Sequence, residues 1–258
     1  MQILIKVALG LVAIGVLAVG AVFYFTADMT KAADEFFAAA KSGDIDRAYS
    51  FVSEDFRSST TKDELQQFLE KSSEGKLKET SWLFRSISGG LGELSGSFTT
   101  ESGGAIPITL GMVKSGDGWK INSIQKPPSG IQEQSSSARV PSEEELVKLV
   151  VDSTDVFVES VAEKSMVRFN RHASNLWQKQ YTAEKLNEVF GSFFPPHNDL
   201  TSLINMSPQF TAKPTINENG VLAIAGFYPT KPIRFNFQHE YIYEGLGWKL
   251  YGYSVNIE

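Results

Sequence analysis

The chain has 258 residues and a mass of 28.4 kDa, with 42% hydrophobic and 21% charged residues. That is ordinary globular composition, which excludes a disordered tail or a collagen-like fibre; with no cysteine, a disulfide scaffold, a cysteine zinc site and thiol catalysis are excluded as well. Twenty-four Lys and Arg against thirty Asp and Glu give a net charge of −6, so the chain lacks the basic footprint that nucleic-acid binding needs, and no nucleic-acid partner is expected.

The first element is apolar. Val7 to Ala27 carry no charge over 21 residues. As a helix they span roughly 31 Å at about 1.5 Å per residue, close to the bilayer core of about 30 Å. Lys6 precedes the run, and Phe23, Tyr24 and Phe25 stand near its far end, where aromatic rings suit the membrane interface. Residues 1–27 are therefore expected to form a transmembrane signal-anchor. The alternative is a signal peptide cut after Ala18-Val19-Gly20, which would release a secreted, soluble binding protein beginning at Ala21. A short head before the run and a long hydrophilic chain after it place the bulk outside the cytoplasm, on the periplasmic side of a bacterial inner membrane.

Residues 28–126 follow as a first domain, 127–141 as a linker and 142–258 as a second domain. The linker contains Pro127-Pro128-Ser129-Gly130 and Ser135-Ser136-Ser137, with almost no apolar content. The two domains read as copies. Each opens with an amphipathic helix, around Phe36-Phe37 and Phe157-Val158. A short second helix follows, at Asp46–Phe51 and Ser165–Phe169, and then a third, at Thr61–Leu69 and Thr182–Phe190. Thr61-x-x-Glu64 and Ser142-x-x-Glu145 are capping boxes, in which side chains satisfy the free amides of a helix start. Alternating strands then run between glycine turns such as Ser88–Gly92, with Trp82 and Phe84 on one face of the first strand. Each domain closes alike, on Gly118-Trp119-Lys120-Ile121 and Gly247-Trp248-Lys249-Leu250. Phe37 and Phe157 stand 120 positions apart, while Trp119 and Trp248 stand 129 apart. The second copy has thus gained about nine residues, placed around Phe194–Asp199. Helices before antiparallel strands make an α+β fold.

The stretch Gly43-Asp44-x-x-Arg47-Ala48-Tyr49, then Asp55-Phe56-Arg57-Ser58 and Glu64-Leu65-x-x-Phe68, with the closing Gly-Trp-Lys-Ile strand, resembles the nuclear transport factor 2-like superfamily. The resemblance implies two tandem cystatin-like cones, each of about three helices packed on a curved antiparallel sheet with a pocket between. Such cones occur as extracytoplasmic domains of bacterial membrane proteins and lipoproteins. The superfamily holds enzymes and non-catalytic binding modules alike, and no catalytic motif of either transfers to this chain.

The most informative strand runs from Ile233 to Glu244. Ile233, Phe235, Phe237, His239, Tyr241 and Tyr243 share one face, expected to meet the helices, and the mostly polar alternate set faces outward. His239 is either a pocket base or ligand anchor, or a core histidine bonded to a neighbouring tyrosine or a backbone carbonyl. Phe237, His239 and Tyr241, with His172, Trp177 and Tyr181, are the candidate pocket residues of the second domain. His172, His197 and His239 show neither HxH nor HExxH spacing, so no metal or cofactor is expected. The pairing of His197 with Asp199 reads as an exposed turn. The expected function is a membrane-anchored, non-catalytic binding or assembly module for a protein partner or a small apolar ligand. The alternative is an enzyme for a hydrophobic substrate, with His239 as base.

Overall fold

The computed structural model describes residues 26–72, 77–88, 90–101, 103–116, 118–126, 140–195, 200–217, 219–231 and 234–257. The proposed anchor (apart from Thr26 and Ala27), linker residues 127–139, His197, Asp199 and Ile233 lie outside them. Among the described residues no helix is long and apolar enough to cross a membrane. The chain divides into two compact units, Met1–Glu133 and Gln134–Glu258, each an α+β arrangement of helices and an antiparallel sheet.

In the first unit helix α1, described over 26–41, buries Met29, Ala33, Phe36 and Phe37, a stripe at three- and four-residue spacing. Gly43, at φ +75°, ends it, with Gly43 N donating to Ala40 O and Asp44 N to Ala39 O. Helices α2 (Ile45–Ser50), α3 (Glu54–Ser59) and α4 (Lys62–Ser72) follow. Asp44 and Ser53 cap α2 and α3 through the Arg47 and Phe56 amides, and Thr61 and Glu64 exchange bonds at the start of α4. Strands β1 (Leu77–Ser88), β2 (Leu91–Thr100), β3 (Ala105–Ser115) and β4 (Gly118–Gln125) form an antiparallel meander in that order. Leu94, Phe98, Leu110, Met112 and Ile121 are buried within it.

The second unit repeats this order with differences. Helix α5 (Glu143–Ala162) starts on the Ser142–Glu145 capping box. Helices α6 (Val167–His172), α7 (Asn175–Gln180) and α8 (Ala183–Phe190) follow. The sheet holds β5 (Gln209–Phe210), β6 (Thr215–Ile216), β7 (Leu222–Tyr228), β8 (Phe235–Glu244) and β9 (Gly247–Ile257). The order is β5-β7-β8-β9, and β6 also pairs with β7. At the core, Phe157 of α5 meets Phe169, Phe190 and Phe193 edge-on, with centroids at 5.4, 5.2 and 5.7 Å. Such pairs add about 0.5–1.5 kcal/mol each beyond area burial.

Several expectations are corrected. Each unit has four described helices rather than three. The added ones, α3 and α7, are six residues long, too short to show a 3.6-residue period, and each begins at a serine cap, Ser53 or Ser174. Trp82 and Phe84 do not share a face. The β1–β2 register shifts between them, so Leu83 is an unpaired bulge residue 85% exposed, Trp82 packs near Phe37 at 6.0 Å, and Phe84 is 43% exposed. Gly96 lies opposite, where a Cβ would stand 1.9 Å from the Ser81 carbonyl oxygen. Two 3₁₀ turns of the second unit, Gly191–Phe193 and Thr201–Leu203, flank in sequence the insertion expected around Phe194–Asp199, of which residues 196–199 lie outside the described residues.

Candidate functional site in the second unit

Period-two alternation along β8 turns Phe235, Phe237, His239 and Tyr241 toward the helices, all buried, and leaves Gln238 exposed. The alternation ends at Glu244, which belongs to the alternate set expected to face outward and is instead buried. Its carboxylate accepts from Asn175 N at 3.1 Å and from Asn175 Nδ2 at 2.8 Å, which fixes the start of α7. Tyr243 is only half-buried and donates to Leu246 O at 3.0 Å.

His239 has none of its surface exposed. Its ring stacks on Tyr253 of β9, with centroids at 4.4 Å and planes 20° apart, and lies 4.8 Å from Phe237. The β8–β9 register shifts between Glu240↔Gly252 and Tyr241↔Leu250, so Tyr251 is the extra residue and Tyr253 comes opposite His239. His239 Nδ1 lies 3.2 Å from Tyr241 Oη, which reaches Leu149 O at 3.0 Å and Ser153 Oγ at 3.2 Å. Ser153 Oγ in turn lies 3.3 Å from His172 Nε2. A carbonyl oxygen can only accept, so the phenol proton goes to Leu149 O; this assigns the His239 hydrogen to Nδ1, donating to the phenol oxygen. The result is a buried chain, His239–Tyr241–Ser153–His172, joining the sheet to α5 and α6.

Beside the chain stand Thr154 of α5, Tyr228 and Tyr253. The Thr154 hydroxyl is close enough to both phenols to favour their ionised forms, yet none of the three oxygens meets hydrogen-bond geometry with a partner in the protein, and neither does His239 Nε2. Burial holds His239 far below its ordinary 6.5, at about 3, and raises Tyr228 to about 12; Tyr241 and Tyr253 are raised well above their ordinary range by the same cause. Burial, then the Lys249 ammonium, lowers His172, while Asp152 acts the other way. All these groups are therefore neutral at neutral pH. A general base works best with a pKa near the working pH. This cluster instead offers fixed, uncharged donors and acceptors.

Of the six candidates, Phe237, His239 and Tyr241 come together, and His172 joins them through Ser153. Trp177 is buried on the α6 side, against Phe169 at 6.4 Å, and Tyr181 packs on it at 5.0 Å while 41% exposed at the surface. Ser153, Thr154, Tyr228 and Tyr253 were not anticipated. The signal for the first two was legible: they interrupt the apolar face Leu146, Val150, Phe157, Val158, Val161 of α5. Tyr253 was not legible, because a bulge places it. Among the described residues no group of three or more His, Cys, Asp or Glu could hold a metal ion.

No family model and no curated protein matches this chain. Two solved structures resemble it. One is a cystatin-like protein from Ruminococcus gnavus, 13% identical, covering 91% of each chain with a TM-score of 0.29. The other is an "Ntf2 like" protein involved in plasmid conjugation, 11% identical, covering 87% of this chain and 95% of that one with a TM-score of 0.25.

Proposed function

We propose that the chain is a membrane-anchored, extracytoplasmic assembly module of two nuclear transport factor 2-like cones that works through its surfaces rather than by catalysis. The observation that carries this reading is the uncharged run Val7–Ala27, which leads directly into α1. Duplication is supported by local geometry within each unit. Val52 bridges Ile121 in parallel in the first unit, and Ala173 bridges Leu250 in the second. Ser53 N donates to Ile121 O, and Ser174 N to Leu250 O, both at 2.8 Å. Non-catalytic action is supported by the neutral interior around His239, whose imidazole is sealed from solvent.

The test is to express the full chain in a bacterium. It should stay with the membrane through alkaline carbonate extraction and keep its original N-terminus by mass spectrometry. A cysteine introduced at Glu101, in a chain with no other, should react with an impermeant maleimide added outside the inner membrane. A mature chain beginning at Ala21, or a cysteine labelled only after lysis, overturns the reading. Crosslinking in native membranes would then identify the partner.

A further inference from the structure

The first unit carries a feature that its own core does not explain. At one end, the beginning of α1, the tip of the β1–β2 hairpin and the β3–β4 turn enclose a broad open depression of about 1660 Å³. Lys31, Arg85, Lys114 and Lys120 line it against the acidic Asp28 and Glu35. That is a local excess of two positive charges on a chain whose net charge is −6. Apolar side chains stand on the same hairpin: Leu91 is 62% exposed and Ile87 41%, with Leu83 and Phe84 exposed further along β1. Apolar residues at a hairpin tip cost solvation free energy unless something covers them.

The position of this end suggests the cover. Helix α1 runs from here, where Met29 approaches Gly92 so closely that a Cβ on the glycine would stand 2.3 Å from Sδ, to the opposite end, where Lys41 Nζ donates to Lys78 O. The uncharged run joins α1 at the cationic, apolar-tipped end. We infer that this end of the first unit docks on an anionic lipid surface, with Ile87 and Leu91 entering the interface and Arg85, Lys114 and their neighbours meeting lipid phosphates. The inference rests on the membrane-anchored reading. What favours lipid over a second copy of the chain is that the uncharged run Val7–Ala27 joins α1 at this same end, and that a bacterial phosphatidylglycerol surface is both anionic and apolar beneath, matching cationic and apolar side chains side by side.

The test uses the full chain, whose lack of cysteine permits single-site labelling. L91C and E101C variants carry an environment-sensitive fluorophore in vesicles of phosphatidylethanolamine and phosphatidylglycerol. Glu101 lies in the β2–β3 turn, at the other end of the sheet from the β1–β2 tip. Matching thermal melts check that each variant folds. Position 91 should be quenched by nitroxide-labelled lipid and shielded from aqueous iodide, and position 101 the reverse. In R85Q and K114Q the ratio of docked to undocked chains should fall about fivefold per charge removed, and the shielding should weaken with added salt. A chain that floats with the vesicles but leaves position 91 as open to iodide as position 101 overturns docking alone. Equal shielding in detergent also overturns it, pointing to a second copy or to the leading segment as the cover. A chain that does not float overturns the anchor, and docking with it.

Discussion

The ring of His239 stacks on that of Tyr253 at 4.4 Å, across two strands whose register has slipped by one residue. The contact leaves the imidazole without access to water and with one nitrogen unpartnered in the protein. It makes His239 a source of acid sensitivity in the second unit.

The folded pKa of His239 is depressed to about 3, from 6.5 in the unfolded chain. Below 6.5 the unfolded chain binds the proton that the folded chain refuses, so stability falls as pH drops from 6.5 toward 3. The slope approaches about 1.4 kcal/mol per pH unit. His172, lowered in the same direction, adds to it. Urea melts of the second unit at pH 7 and pH 5 should differ by about 2 kcal/mol from His239 alone. H239Q should be less stable at pH 7 and show a smaller difference; an unchanged difference would mean that the imidazole is not the sensor.

Tyr241→Phe removes the hydroxyl that joins His239, Leu149 O and Ser153. With those buried groups left unpaired, the loss should be about 1–3 kcal/mol, with the fold intact by circular dichroism.

Glu244→Ala removes the carboxylate that holds the first amide and the side chain of α7. A cost of about 1.5–3 kcal/mol is expected for bonds to a charged group, and Glu244→Gln, which keeps one acceptor, should cost less. Equal costs for the two variants would show that the retained acceptor contributes nothing and that the carboxylate charge carries the whole effect.

Gly96→Ala places a methyl group 1.9 Å from the Ser81 carbonyl oxygen at the β1 bulge, so the strand must shift. Destabilisation of about 1–3 kcal/mol is expected in thermal melts. Leu83→Ser, at the exposed bulge residue, should change stability by less than about 0.5 kcal/mol.

The sequence by itself determined what depends on neighbours a few residues apart. The Thr61–Glu64 and Ser142–Glu145 caps formed as read, because both partners lie within one helical turn. The inward set Phe235, Phe237, His239 and Tyr241 followed from the two-residue period of a strand. The hairpin at Ser88–Leu91 followed from its glycines. Tertiary structure alone decided whatever needed a register or a distant partner. Bulges at Leu83 and Tyr251 turned neighbouring side chains to the other face, because one extra residue inverts a period-two pattern. Glu244 was drawn inward by a helix start 69 residues away, and Ser153 found Tyr241 across 88 residues. No local pattern encodes such meetings, since they exist only once the helices have packed on the sheet.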